Sequence, residues 1–347
     1  MKLRNGLIYF YIHLAIEVAS FFVLTKFMSH ELAALIALIY DYLAFVPQGL
    51  FGFILDKKFK FPALLIGTLM CALAVGLVYL PLTPFVAISI VGIGNALVHI
   101  SGAERTLRES NGKMTPSALF VGGGSFGLIL GKICANYNVP IWIVILVTLS
   151  IIIPYLYLRK HPIDYEKPIE GFKYSNIKIN PVLVVILAVI VVAFRAFVGY
   201  GIPTTWNQAL WQTILLYCFM GLGKCLGGIL IDLIGIKWTI LISTVLATPF
   251  LIFGDNIMIL SIIGVMFFSM TMAITLAIIT SNMKEYPGLA FGMTTVGLFI
   301  GTVSIFFFQI NDLAINIIVI IISTILSMII LLIISKGSFK VISQKEE

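Results

Sequence analysis

The chain has 347 residues, of which 60% are hydrophobic and 11% charged, and it carries a formal net charge of +7. Soluble domains carry roughly 25% charged residues, so a soluble fold is excluded. The long unbroken apolar runs likewise exclude a membrane barrel of short alternating strands. The excess of positive charge is not read as a nucleic-acid signal, because its placement follows membrane topology.

A helix needs about 20 apolar residues to cross a bilayer. Segments of that kind fall at 7–28, 32–55, 61–80, 83–103, 115–136, 139–158, 181–202, 208–233, 237–253, 256–280, 288–309 and 313–335. The first begins with basic residues, as a signal peptide does. Glu17 interrupts its apolar core and no small-residue cleavage site follows, so it reads as a retained first span. Most connections are short, as in "PLTP" at 81–84 and "GDN" at 254–256. One is long and polar, 159–180. It divides the chain into an N-terminal six-helix half (1–158), a central loop (159–180) and a C-terminal six-helix half (181–347). The predicted fold class is an all-α integral membrane protein of twelve transmembrane helices in two pseudo-symmetric halves.

Lys and Arg set the orientation. With the N-terminus in the cytoplasm, all of them fall at inner ends and loops except Lys26, Lys132, Arg195 and Lys224. Both termini and the central loop are then cytoplasmic, in a multi-pass protein of the cell membrane. Cys71, Cys134, Cys218 and Cys225 all sit in apolar runs and serve as small apolar filler.

The two halves repeat. The second span ends "GFILDKKFK" (52–60) and the eighth "GILIDLIGIK" (228–237), which aligns Gly52 and Asp56 with Gly228 and Asp232. The fifth span carries Gly123, Gly127 and Gly131, and the eleventh Gly297 and Gly301. This G-x-x-x-G spacing lets helices approach closely in lipid. Parallel six-span repeats imply a solute site between the halves near mid-membrane.

The G-x-x-x-D-(K/R) endings resemble the signature loops of the major facilitator superfamily. "PQGLFGFILDK" (47–57), "GIGNALVH" (92–99), "SALFVGGGSFGLILG" (117–131), "FRAFVGYGIP" (194–203) and "GGILIDLIGIKW" (227–238) are similar to its fosmidomycin-resistance-like efflux branch. There are departures: Lys237 alone stands for the basic residues after Asp232, and Lys132 stands where that branch has a proline. The resemblance implies a transporter, efflux, and an aspartate in each signature loop that pairs with helix ends and a neighbouring charge. The candidate cytoplasmic gate comprises Gly52, Asp56, Lys57, Gly228, Asp232 and Lys237 of the two signature loops, with Glu104 and Arg105 where the fourth span leaves the membrane. Glu104 is expected against Lys57, Lys58 or Lys60.

Glu17, Asp41, Arg195 and Lys224 lie well inside spans. Facing lipid they would together cost roughly 10 kcal/mol, so they face the interior, water or one another. The first half offers acids and imidazoles. His13 and Glu17 share one helix face, and Asn95 and His99 share another, each pair four residues apart. The second half offers cations. Two readings follow. In one, an acid pairs with a cation as a clasp between the halves. In the other, Glu17 and Asp41, helped by His13 and His99, exchange protons, while Arg195 and Lys224, with Gln48, Asn95 and Tyr200, contact an anionic solute.

Enzyme-like motifs are weaker. "GGSFG" (123–127) matches G-x-S-x-G, and Ser125 facing His99 would make an intramembrane serine protease, but the motif lies mid-span and reads as a packing face. No Walker A sequence is present, so ATP drive is not expected, and no H-E-x-x-H or Cys/His cluster points to a metal. The expected function is a proton-coupled secondary transporter, without cofactor or metal, exporting a drug or organic anion. It is expected as a monomer in the lipid bilayer, with a small molecule and no nucleic acid as its partner. The alternatives are import of a nutrient anion and a non-transporting membrane scaffold.

Overall fold

The computed structural model describes residues 3–57, 62–80, 84–163, 168–169, 179–308, 310 and 312–335. Lys58, Lys60 and most of the central loop lie outside them. Twelve helical spans run through the described residues. They are α1 (Leu3–Lys26), α2 (Ala33–Asp56), α3 (Ala63–Leu77), α4 (Pro84–Glu109), α5 (Thr115–Asn136) and α6 (Ile141–Arg159), then α7 (Pro181–Gly201), α8 (Leu210–Ile234), α9 (Ile236–Ile252), α10 (Met258–Asn282), α11 (Pro287–Ser304) and α12 (Leu313–Ile334). Ten of these helices are long and apolar enough to cross a membrane; α3 and α9 are shorter apolar helices. Helix is the form these runs must take, because lipid offers backbone N–H and C=O groups no other partner.

Prolines mark both starts and breaks. Pro181 and Pro287 open α7 and α11, where the missing N–H costs nothing. Pro47 divides α2 into Ala33–Phe45 and Pro47–Asp56. Pro249 in α9 follows a π turn at Ile242–Leu246, which absorbs the loss of a hydrogen bond to the preceding turn. Gly235 at φ 85° lets α9 begin one residue after α8 ends.

The packing is symmetric between halves. α1 lies on α5 as α7 lies on α11, and α2 on α4 as α8 on α10. The close helix pairs rest on glycine. A Cβ at Gly123, Gly127 or Gly131 of α5 would strike the carbonyl oxygens of Phe10, Leu14 and Val18 of α1. A Cβ at Gly297 or Gly301 of α11 would strike those of Val189 and Ala193 of α7. The halves meet along α2 with α11 and α5 with α8. Large side chains such as Ile153, Leu233 and Ile259 stay exposed on the outside, as a lipid-facing surface requires.

Candidate functional site

Two clasps join the halves at the end of the molecule where α2 and α8 finish. Asp56 closes α2, and its carboxylate accepts from the backbone N–H groups of Gly288 (3.0 Å) and Leu289 (2.8 Å), the first free donors of α11 after Pro287. Asp232, near the end of α8, accepts from the N–H groups of Met114 and Thr115 (both 2.8 Å) and from the Thr115 hydroxyl (2.6 Å), at the start of α5. Each half thus caps a helix of the other. An acid is suited to that place because helix N-termini carry unpaired N–H groups and partial positive charge. Gly52 and Gly228 lie one turn before the two acids. A Cβ at Gly52 would strike the Gly288 backbone, and one at Gly228 would strike Ala118.

The basic residues near this end are arranged otherwise than the sequence suggests. Glu104 pairs with Arg108 on its own helix, not with Lys57, and Arg108 reaches on to Asp56 at 3.3 Å. Lys57 instead bridges to the other half, donating to the Tyr286 hydroxyl at 3.3 Å. Arg105 donates to the Tyr9 hydroxyl (3.1 Å) and to Glu109 (2.9 Å). Lys237 is exposed. Helix geometry explains the Glu104 correction: its partner four residues on shares its face, whereas Lys57 points across the interface between halves.

Between the halves lies a cleft of about 90 Å³. The first half lines it with His13, Glu17, Gln48, His99 and Ser125, and the second with Arg195, Tyr200, Lys224 and Thr295. The cations are not clasped to the acids. No ion pair joins Arg195 or Lys224 to Glu17 or Asp41 among the described residues. Lys224 Nζ donates to Ser125 Oγ across the halves at 2.8 Å, and Arg195, 6% exposed, has a buried Nε without a partner. Ser125 therefore faces Lys224 and not His99, so the serine–histidine pair of a hydrolase is not formed. Gln48 donates to the Ala44 carbonyl at 2.7 Å, and its own side-chain oxygen has no partner.

Two expected site residues stand elsewhere. Asn95 does not line the cleft; it lies behind it, donating to Glu17 Oε1 (3.3 Å) and Ser20 Oγ (2.8 Å). Asp41 is outside the lining as well, near Thr302 of α11, whose hydroxyl donates to the Phe299 carbonyl of its own helix at 3.1 Å. The Asn95 assignment rested on helix-face spacing, which does not say which face meets the cleft; Asp41 was singled out as an acid within a span, and the structure places it beside the cleft at the interface between halves.

One group was missed. His13 and Glu17 of α1 meet His99 of α4, and their potential ligand atoms all lie within 4.8 Å of one another. His99 Nε2 is 3.2 Å from Glu17 Oε1, His13 Nε2 is 3.7 Å from it, and the two Nε2 atoms are in direct contact. The sequence shows each pair on its own helix but not that the two faces converge, and no short motif spans residues 13 to 99.

The arrangement of helices, the repeated halves and the swapped clasps decide the fold. It is that of the major facilitator superfamily. The chain is similar to the superfamily transporter FucP of E. coli in its outward conformation, at TM-score 0.68 and 15% identity, over 95% of this chain and 98% of that one. It is similar to the human organic anion transporter MFSD10 at TM-score 0.68 and 12% identity, over 96% and 100%. It is also similar to a bacterial homologue of the iron transporter ferroportin in an outward-facing state, at TM-score 0.63 and 14% identity, over 96% and 100%. No family model matches the sequence, and no curated protein matches it.

Proposed function

We propose that the protein is a secondary transporter of the major facilitator superfamily. It moves a small solute bearing an anionic group across the cell membrane by rocking of its two halves. The observation that carries this reading is the cleft between halves, where neither Arg195 nor Lys224 has a carboxylate within ion-pair distance among the described residues. A buried cation left unpaired is costly, and an anionic solute would meet that cost. The swapped clasps at Asp56 and Asp232 close the end that the positive-inside rule places in the cytoplasm. Rocking would break both.

The drive is a proton gradient, with Asp41 as carrier. Asp41 lies on α2 near Thr302 of α11, and no cation pairs with it among the described residues, so it can take and release a proton as α2 and α11 separate. Export follows from the resemblance to the efflux branch. Import of an anion is the second reading, favoured by the fold neighbour named a fucose:proton symporter. The chain acts as a monomer.

The test begins with a stabilisation screen of organic anions on purified protein, followed by flux into proteoliposomes under an imposed pH gradient. Arg195→Gln and Lys224→Gln abolish stabilisation by the anion that wild type recognises. Asp41→Asn abolishes accumulation against a gradient but spares exchange. An anion transported equally well by both cation variants would end the reading.

A further inference from the structure

The His13–Glu17–His99 cluster goes beyond transport and is argued from its own geometry. Each imidazole has its Nδ1 committed. His13 Nδ1 faces the Phe120 carbonyl oxygen at 2.7 Å. A carbonyl only accepts, so Nδ1 carries the hydrogen and Nε2 presents a lone pair. His99 Nδ1 faces Asn95 Oδ1 at 2.5 Å and the Asn95 carbonyl at 3.2 Å.

The orientation of that amide is fixed from behind. Ser20 Oγ donates to the Ile16 carbonyl at 3.0 Å and so accepts from Asn95 Nδ2 at 2.8 Å, which leaves Oδ1 toward His99. His99 Nε2 therefore also presents a lone pair. Two imidazole lone pairs and a carboxylate oxygen converge on one point. The three residues are 6–7% exposed, and Glu17 Oε2 has no partner. Such a set of electron-pair donors repels itself unless a proton or a metal ion sits among them, and a single proton bridges only one pair of the three.

We propose that His13, Glu17 and His99 form a binding site for a divalent first-row transition-metal ion, opening onto the cleft. Two imidazoles and a carboxylate suit zinc, cobalt, iron or manganese, whereas magnesium and calcium take oxygen ligands. The Glu17 to His99 and Glu17 to His13 separations of 3.2 and 3.7 Å bracket the ~3.3 Å edge of a tetrahedron with bonds of about 2.0–2.1 Å. The two nitrogens in contact would part to the same edge. Hydrogen bonds from the far ring nitrogens to a carbonyl and an amide oxygen are the outer shell that orients metal-binding histidines. Gly124 of α5 completes the site, since a Cβ there would strike His13 Nε2. A fourth position opens toward Lys224 and Arg195, where an anion bound to the metal would balance their charge; this last step alone rests on the transport reading.

The test uses the full chain, purified in detergent and stripped with a chelator, with no gradient, so its result is separate from any flux assay. Equilibrium dialysis against Zn²⁺ gives one ion per chain, which tenfold excess Mg²⁺ or Ca²⁺ does not displace. Co²⁺ gives the strong visible bands of a low-coordinate imidazole site. Asn95→Leu weakens Zn²⁺ binding about 10- to 100-fold, as loss of an outer-shell partner does, and His99→Gln and Glu17→Gln weaken it further. A His30→Gln/His161→Gln double variant, which removes the two histidines outside the cluster, binds as wild type. The proposal is overturned by absence of stoichiometric Zn²⁺ or of the Co²⁺ bands in wild type, a result independent of how any variant folds. Unchanged affinity in monodisperse His99→Gln, or loss of binding in the double variant, also overturns it.

Discussion

The two clasps are built on one plan and differ in depth. In both, an aspartate at the end of one helix takes two backbone N–H groups at the start of a helix in the other half. The Asp56 side chain has no exposed surface, and it is backed by Arg108, which is itself paired with Glu104. Asp232 is exposed and has the Thr115 hydroxyl in place of an ion pair. A repeat therefore preserves the reach of a carboxylate to a helix end, while the surroundings decide how much each contact weighs. The first clasp is the stronger lock, and the second is the more easily broken.

Asp56→Asn is the severest way to test that ranking. An asparagine keeps one acceptor oxygen but turns an amide donor toward two N–H groups and a guanidinium. Breaking a buried pair by removing one partner costs about 3–5 kcal/mol, which is on the order of 100-fold or more in the balance between closed and open forms. Labelling of a cysteine at position 295, in a background lacking the four native cysteines, measures this from the cytoplasmic side. The expected result is a large rise; labelling equal to that of Asp232→Asn would remove the ranking.

The glycines test the same comparison by shape. A Cβ at Gly52 meets the Gly288 backbone, and Leu289 N at 2.8 Å, on the rigid start of α11. A Cβ at Gly228 meets the Ala118 side chain, with the Met114 carbonyl at 2.9 Å. Both Gly52→Ala and Gly228→Ala should raise cleft labelling. Only the second has a neighbour that can be trimmed: Ala118→Gly should recover much of the closed form in Gly228→Ala. Gly52→Ala has no such suppressor, because the facing residue is already glycine. Failure of Ala118→Gly to recover any closure would show that the backbone contact dominates there too.

Hydropathy made the twelve spans legible, because lipid leaves a spanning chain no alternative to helix. The glycine spacing likewise marked the fifth and eleventh spans as closely packed, since closeness in lipid needs small residues on one stripe, but not that their partners are α1 and α7. What stayed hidden is which faces meet. Spacing placed His13 with Glu17 and Asn95 with His99, yet it took the crossing of α1 and α4 to bring them together, and the same crossing moved Asn95 behind the cleft. Arg195 and Lys224 were legible as cations inside spans. That Lys224 would bond to Ser125 in the other half while Arg195 Nε stays unpartnered was not, because a contact between halves leaves no mark in local sequence.

Asp232→Asn is the smallest expected effect and discriminates best between the clasps. The exposed carboxylate acts as a helix cap, and losing one costs about 1 kcal/mol. Part of that is the attraction of its charge for the positive end of α5, which salt screens over roughly 10 Å at 0.1 M. Asparagine retains a side-chain oxygen that can cap, so only the charge contribution and one N–H partner are lost. The gap between wild type and Asp232→Asn in the labelling assay should therefore narrow as salt rises. The gap for Asp56→Asn should not, since ions cannot enter between a fully buried carboxylate and the helix end it holds. Salt insensitivity at Asp232 would mean that its clasp is as dry as the first, and the two halves would then lock alike.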